Sequence, residues 1–138
     1  MAADALASFG PRFGWTLDDL RALTSPRPII ADGWGLRPNL VAPLLAAPDR
    51  MVVMVPSEEF RLRQVRVLPR AGRLGATVSD PDRGQRQRLA RDRLLAADAV
   101  RDARGHGIRV IEIDGHLDAA AVARLVAEHF RRHLAFPR

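Results

Sequence analysis

Two aspartates stand where apolar runs break into glycine. Asp32 closes the run from Pro28 and precedes Gly33-Trp34-Gly35, and Asp114 closes Arg109–Ile113 and precedes Gly115-His116. A carboxylate at the end of a buried strand can hold Mg²⁺ through water or accept a proton from a substrate hydroxyl. The plainer alternative is a turn or helix cap without chemistry, and it weighs more at Asp114 than at Asp32. A third element is the arginine-rich stretch SDPDRGQRQRLARDRLL. At about 100° per residue, Arg86 and Arg93 fall in the arc of Leu89, Ala90, Leu94, Ala97 and Val100, with Arg88 and Arg91 opposite. An inward arginine requires an anion, because an unpaired buried charge is costly, and guanidinium binds phosphate bidentately. The alternative is that both snorkel over an apolar edge or pair with Asp92 or Asp98. His129 and His133 have the i, i+4 spacing of a metal pair, but no Cys or acid completes a site. Surface histidines are the simpler reading, with His106 and His116 in turns.

These residues need elements to position them. Three apolar runs lead into helical stretches: Pro28 to Asp32, Met51 to Val55, and Arg109 to Ile113. Short apolar runs that alternate with helices read as buried parallel strands, and ligands of open α/β sheets sit at the carboxyl ends of the strands. That puts Asp32, Gly33, Ser57, Asp114 and Gly115 on one rim. The expected fold is α/β: a three-layer domain with a mostly parallel sheet of Ile29–Asp32, Val52–Val55 and Val110–Ile113. Gly10, Pro11 and Gly14 predict a loop, and Thr16 predicts the cap of a short helix. Ser57 predicts the cap of a helix with Glu58 and Glu59. Residues 66–82 lack any period and read as a mobile loop, followed by a helix from about Asp82 to Arg104 that Gly105 and Gly107 end. Asp118 or the turn before it opens a last helix with the stripe Leu117, Ala121, Val122, Leu125, Val126 and Phe130.

The chain has 138 residues, which is one domain by size. All 22 basic residues are arginine, and the net charge of +6 favours an anionic partner. There is no cysteine, so disulfides and thiolate chemistry are excluded. No apolar run approaches the roughly 20 residues of a membrane helix, and the N-terminus lacks the pattern of a signal peptide. A cytoplasmic location is expected.

The segments RPIIADGWGLRPNLVAPLL, RMVVMVPSEEFR, SDPDRGQRQRLARDRLL and IRVIEIDGHLD, covering roughly residues 27–134, resemble the second half of small P-loop kinases of the nucleoside, nucleotide and shikimate kinase-like group. The resemblance implies ATP and Mg²⁺ as cofactors and a small metabolite or nucleoside as substrate. It implies that Asp32 is the acid near metal and substrate. Residues of about 66–93 look like the lid and the start of its arginine helix, with Arg86, Arg91 and Arg93 on the transferred phosphate. Asp114, Gly115 and His116 look like the loop that contacts the base. One departure is severe. The sequence holds no G-x-x-x-x-G-K-[ST] phosphate loop, and the family's first strand, which sits between its third and fourth, has no counterpart before residue 27. The domain then reads as N-terminally shortened, or as completed by a missing segment or a partner chain.

Two functions are expected from different classes. One is a kinase-like ATP-binding domain for phosphoryl transfer, inactive in this form. The other is a non-catalytic arginine-rich nucleic-acid or anion-binding module. Nucleic acid is the weaker partner, because aromatics for base stacking are only 5% of the chain.

Overall fold

The computed structural model describes residues 2–68 and 78–134. Two helices open the chain, α1 (Ala2–Ala7) and α2 (Phe9–Ala22). The loop expected at Gly10–Gly14 is helical. Pro11 falls in the first turn of α2, where amides have no intrahelical acceptor to lose. Thr16 is not a cap, since its hydroxyl donates back to the Arg12 carbonyl at 3.2 Å from within the helix. Helix α2 buries no residue.

The short helix α3 (Pro38–Val41) follows, then the single 3₁₀ turns Ala42–Leu44 and Pro48–Arg50. Strand β1 is Val52–Pro56, and helix α4 is Glu58–Val67. The long helix α5 is Pro81–Gly105, β2 is Arg109–Ile113, and α6 is Ala119–Leu134. The chain is thus α/β, with β1 and β2 forming a two-stranded parallel sheet in which Val53 faces Val110.

The third predicted strand is absent. Residues 28–32 are exposed, and no strand bond forms there. Pro28 carries no amide to donate, and the described sheet offers this run no neighbour. An apolar extended run becomes a strand only when a partner takes up its backbone groups. Most of the expected mobile loop 66–82 lies outside the described residues. Its ends are visible: Val67 closes α4 and Pro81 opens α5.

Helix α5 shows why these residues make a helix of this length. The Asp80 carboxylate accepts from the Arg83 amide at 2.9 Å, and Pro81 takes the first helical position. At the far end the Gly107 amide donates to the Arg104 carbonyl at 3.1 Å and the Ile108 amide to the Ala103 carbonyl at 2.8 Å. Gly107 has φ 68°. This is a Schellman closure, and only glycine takes that backbone without strain. It buries Ile108 against Ala103 and turns the chain straight into β2. The core is small: Val53 and Val55 of β1 meet Ala99, Ala103 and Ile108, with Val100 and Val110 beside them. Alanines on the buried line of α5 let its backbone lie close to the sheet. The opposite face of β1 is not covered in the same way, and Met54 remains 49% exposed.

Candidate functional site at the carboxyl ends of the strands

The carboxyl ends of β1 and β2 meet at one rim. The Ser57 amide donates to the Ile113 carbonyl at 2.9 Å, which carries the parallel ladder one residue past β1. Ser57 then caps α4, its hydroxyl accepting from the Phe60 amide at 3.2 Å. Replacing Ser57 by alanine is expected to cost about 1 kcal/mol of stability, read by urea unfolding. A loss under a few tenths would mean that water caps the helix equally well.

After β2 the chain turns at Asp114, whose carboxylate accepts from the His116 amide at 2.9 Å. Gly115 adopts φ 88°. A side chain there would collide with the Arg63 guanidinium and lie 2.6 Å from the Phe60 ring. Arg63 lies over that ring, its guanidinium carbon 5.0 Å from the centroid, and donates to the Asp114 carbonyl at 3.4 Å. Helix α4 thus covers the β2 turn with an arginine stacked on an aromatic ring. Arg61, on the same helix, holds Glu58 at 2.6 Å and donates to the Leu89 carbonyl at 3.1 Å, tying α4 to α5. Neither Phe60 nor Arg63 stood out in the sequence. The glycine at position 115 was the available signal, since a positive φ beside packed side chains is where glycine is needed.

The structure brings Asp114, Gly115 and His116 together with Ser57 on this rim, all three exposed. Asp32 lies in the exposed loop before α3, and no hydrogen bond or ion pair to a described residue holds its carboxylate. Among the described residues no group of three or more His, Asp or Glu side chains is arranged to hold a metal ion. The arginine helix corrects the sequence reading. Its buried line is Leu95, Ala99 and Ala103, so Arg86 and Arg93 point out to solvent. Leu94 and Ala97, which defined the expected arc, are exposed as well. Charged side chains leave the interior when small alanines can fill the same seam. Arg91 is also exposed and pairs with its neighbour Asp92 at 2.7 Å.

Compared with protein-family models, with curated proteins and with solved structures, the chain finds no match.

The arginine that is buried is one the sequence reading passed over. Arg37 has a side chain only 4% exposed, and it holds Asp98 of α5 at 2.6 Å. The same guanidinium nitrogen donates to the Leu95 carbonyl at 3.2 Å, and Phe9 of α2 stacks against the group at 5.5 Å. Burial pushes the Asp98 carboxyl up, but hydrogen bonds and charge from Arg37 and Arg101 outweigh it and hold the group below the usual carboxylate range. This pair anchors the segment that carries Asp32 to the helix that carries the arginines. An arginine set between Leu36 and Pro38, with Leu40 and Val41 following, was the sequence signal for it. The histidine pair also has a structural task. His129 donates to the Met51 carbonyl at 3.0 Å, and His133 and Arg132 lie 3.2 and 3.4 Å from Asp49. They dock α6 on the Pro48–Arg50 turn, so they are not isolated surface groups.

The rim can be tested for ATP and Mg²⁺, the cofactors the kinase resemblance implies. A triphosphate needs a row of free amides at a helix N-terminus. The N-terminus of α4 is already capped by Ser57 and carries Glu58 and Glu59 in its first turn. These acids repel phosphate, so α4 does not fit the phosphate end of a nucleotide. The turn at Asp114–His116 is exposed and presents polar groups to solvent.

Proposed function

We propose that this chain contributes the base-contacting and lid portion of a kinase-like P-loop domain. Such a domain transfers phosphate from ATP to a small metabolite or nucleoside, within a three-layer sheet larger than the two strands described. The observation that carries this reading is the shared carboxyl rim, where the Ser57 amide meets the Ile113 carbonyl at 2.9 Å and the Asp114–Gly115–His116 turn opens beside it. Open α/β sheets bind their ligands at such an edge. In this reading His116 and the backbone of Gly115 contact the base, Asp32 acts near the transferred group, and Arg86, Arg91 and Arg93 neutralise phosphate when the lid closes. Phosphoryl transfer depends on positioning and charge neutralisation, and these 138 residues contain no Walker A segment. The chain alone is therefore expected to bind Mg-ATP weakly and to turn none over.

Titration with Mg-ATP, followed by amide chemical shifts at low and at physiological salt, tests this. Millimolar-range shifts confined to Gly115, His116 and the arginines of α5 are expected, fading with salt as the field is screened over about 8 Å. Micromolar binding would reveal a phosphate cradle other than the one argued for. Shifts that spare Gly115 and His116 would remove the nucleotide reading.

One observation favours the anion-binding alternative. Arg83, Arg86, Arg93 and Arg104 are exposed, have no acidic partner among the described residues, and fall within about 80° of one another around α5. If that face binds a polyanion, a single-stranded oligonucleotide will bind more tightly than ATP, with log K falling in proportion to log salt.

A further inference from the structure

The hydrogen-bond parity of β1 leaves one edge of the sheet open. Ser57 donates towards β2, so at intervals of two Val55 and Val53 do the same. The backbone groups of Val52 and Met54, and the carbonyl of Pro56, turn the other way. Among the described residues no strand pairs there. Over the sheet face that carries Met54 lies an open apolar groove of about 600 Å³, formed by Met54 and Ile113 of the sheet, Phe60 of α4, and Val122, Val126 and Phe130 of α6. Ile30, from the extended and unpaired run 28–32, lines the same groove. Two extended apolar runs thus border one apolar trough without bonding to each other.

We propose that the free edge of β1 receives an extended apolar strand from a second polypeptide, which pairs with Val52 and Met54 and sets alternate side chains into the groove. The backbone identifies the occupant. A row of outward amides and carbonyls at one strand spacing is satisfied by another extended chain, as in strand addition to a sheet edge, whereas a helix or a small apolar molecule leaves it unpaired. Parallel strands are normally covered on both faces, and the 49% exposure of Met54 marks the face that lacks its cover. A second copy of this chain suits the edge less well. Self-pairing of β1 about Met54 sets Pro56 against Val52 of the other copy, and proline has no amide to give, so a bond is lost on each side.

The test uses the full chain and the peptide acetyl-EEVIVIVEE-amide, whose glutamates keep it soluble and suit a protein of charge +6. Amide hydrogen exchange is followed residue by residue. At saturation, exchange at Met54 is expected to slow at least tenfold, with Val53 and Val55 protected throughout by β2. The same peptide N-methylated on alternate residues keeps its side chains but loses its donors, and it is expected not to bind. Met54→Pro removes one outward amide and is expected to weaken peptide binding at least tenfold; unchanged protection at Val53 and Val55 reports that its fold is intact. Equal binding of the N-methylated peptide would overturn the proposal and leave an unselective apolar groove. Unchanged exchange at Met54 would overturn it too. Protection of Met54 without peptide, rising with protein concentration alongside dimers in sedimentation, would assign the edge to a second copy instead.

Discussion

Replacing Arg37 by methionine lowers the unfolding free energy by about 3 kcal/mol, the low end of the range for breaking a buried ion pair. Methionine keeps much of the volume, so the loss reads the charge and not a cavity. The cost arises at Asp98, whose side chain is 14% exposed and loses its most buried partner. It stays at the low end because Asp98 keeps Arg101, which is 70% exposed. Changing Asp98 to leucine in the same molecule should recover most of the loss, since no unpaired charge then remains. Urea unfolding followed by circular dichroism measures both, and a single-variant loss under 1 kcal/mol would show that water solvates the pair. The pH dependence has a defined sign. Arg37 and Arg101 hold the folded carboxyl of Asp98 low against burial. Its stabilisation is therefore complete above the unfolded carboxylate value of about 3.9 and is lost as pH falls through the lower folded value. The variant has less of this to lose, so its gap to the parent narrows as pH drops below about 4.

Replacing Gly115 by alanine costs about 3 kcal/mol, combining backbone strain of 1–2 kcal/mol with overpacking of similar size. At φ 88° an L side chain is strained whatever the room around it. Here the new methyl also meets the Arg63 guanidinium, which is flexible, and the Phe60 ring at 2.6 Å, which is not. The two terms separate in a double-mutant cycle. Phe60→Ala opens the space, so Gly115→Ala should cost less in that background, with a coupling of about 1 kcal/mol. Additive losses would mean that strain alone decides the position. Because α4 must shift to admit the methyl, the Arg63 bond to the Asp114 carbonyl should weaken as well, seen as faster exchange in the β2 turn.

Much of the helical architecture was legible because its signals are local. Asp80-Pro81 at one end of α5 and Gly107 at the other are a cap and a left-handed closure, and each acts within a turn of its own position. Ser57 and Asp118 are caps of the same kind. Strands β1 and β2 were legible as short apolar runs, Met51 to Val55 and Arg109 to Ile113, each leading into a helix. The strand at Ile29–Asp32 failed for a non-local reason, as its residues suit a strand but no neighbour among the described residues receives its bonds. The inward arc of Arg86 and Arg93 failed on a narrower point. Turning α5 by about 150°, nearly half a turn, replaces Leu94 and Ala97 with Leu95, Ala99 and Ala103, and only the sheet packed against the helix chooses between those two seams.

Composition, helix ends and two of the strands follow from the amino-acid sequence itself, because caps, glycine turns and short apolar runs are settled among residues a few positions apart. Three things were decided only in the tertiary structure. Arg37 finds Asp98 across 61 positions, Phe60 and Arg63 close over Gly115 from a different element, and β1 keeps an edge that no strand among the described residues pairs. Each depends on what lies across a contact between elements distant in sequence, and pairing of charge, ring and backbone across such a contact has no local signature.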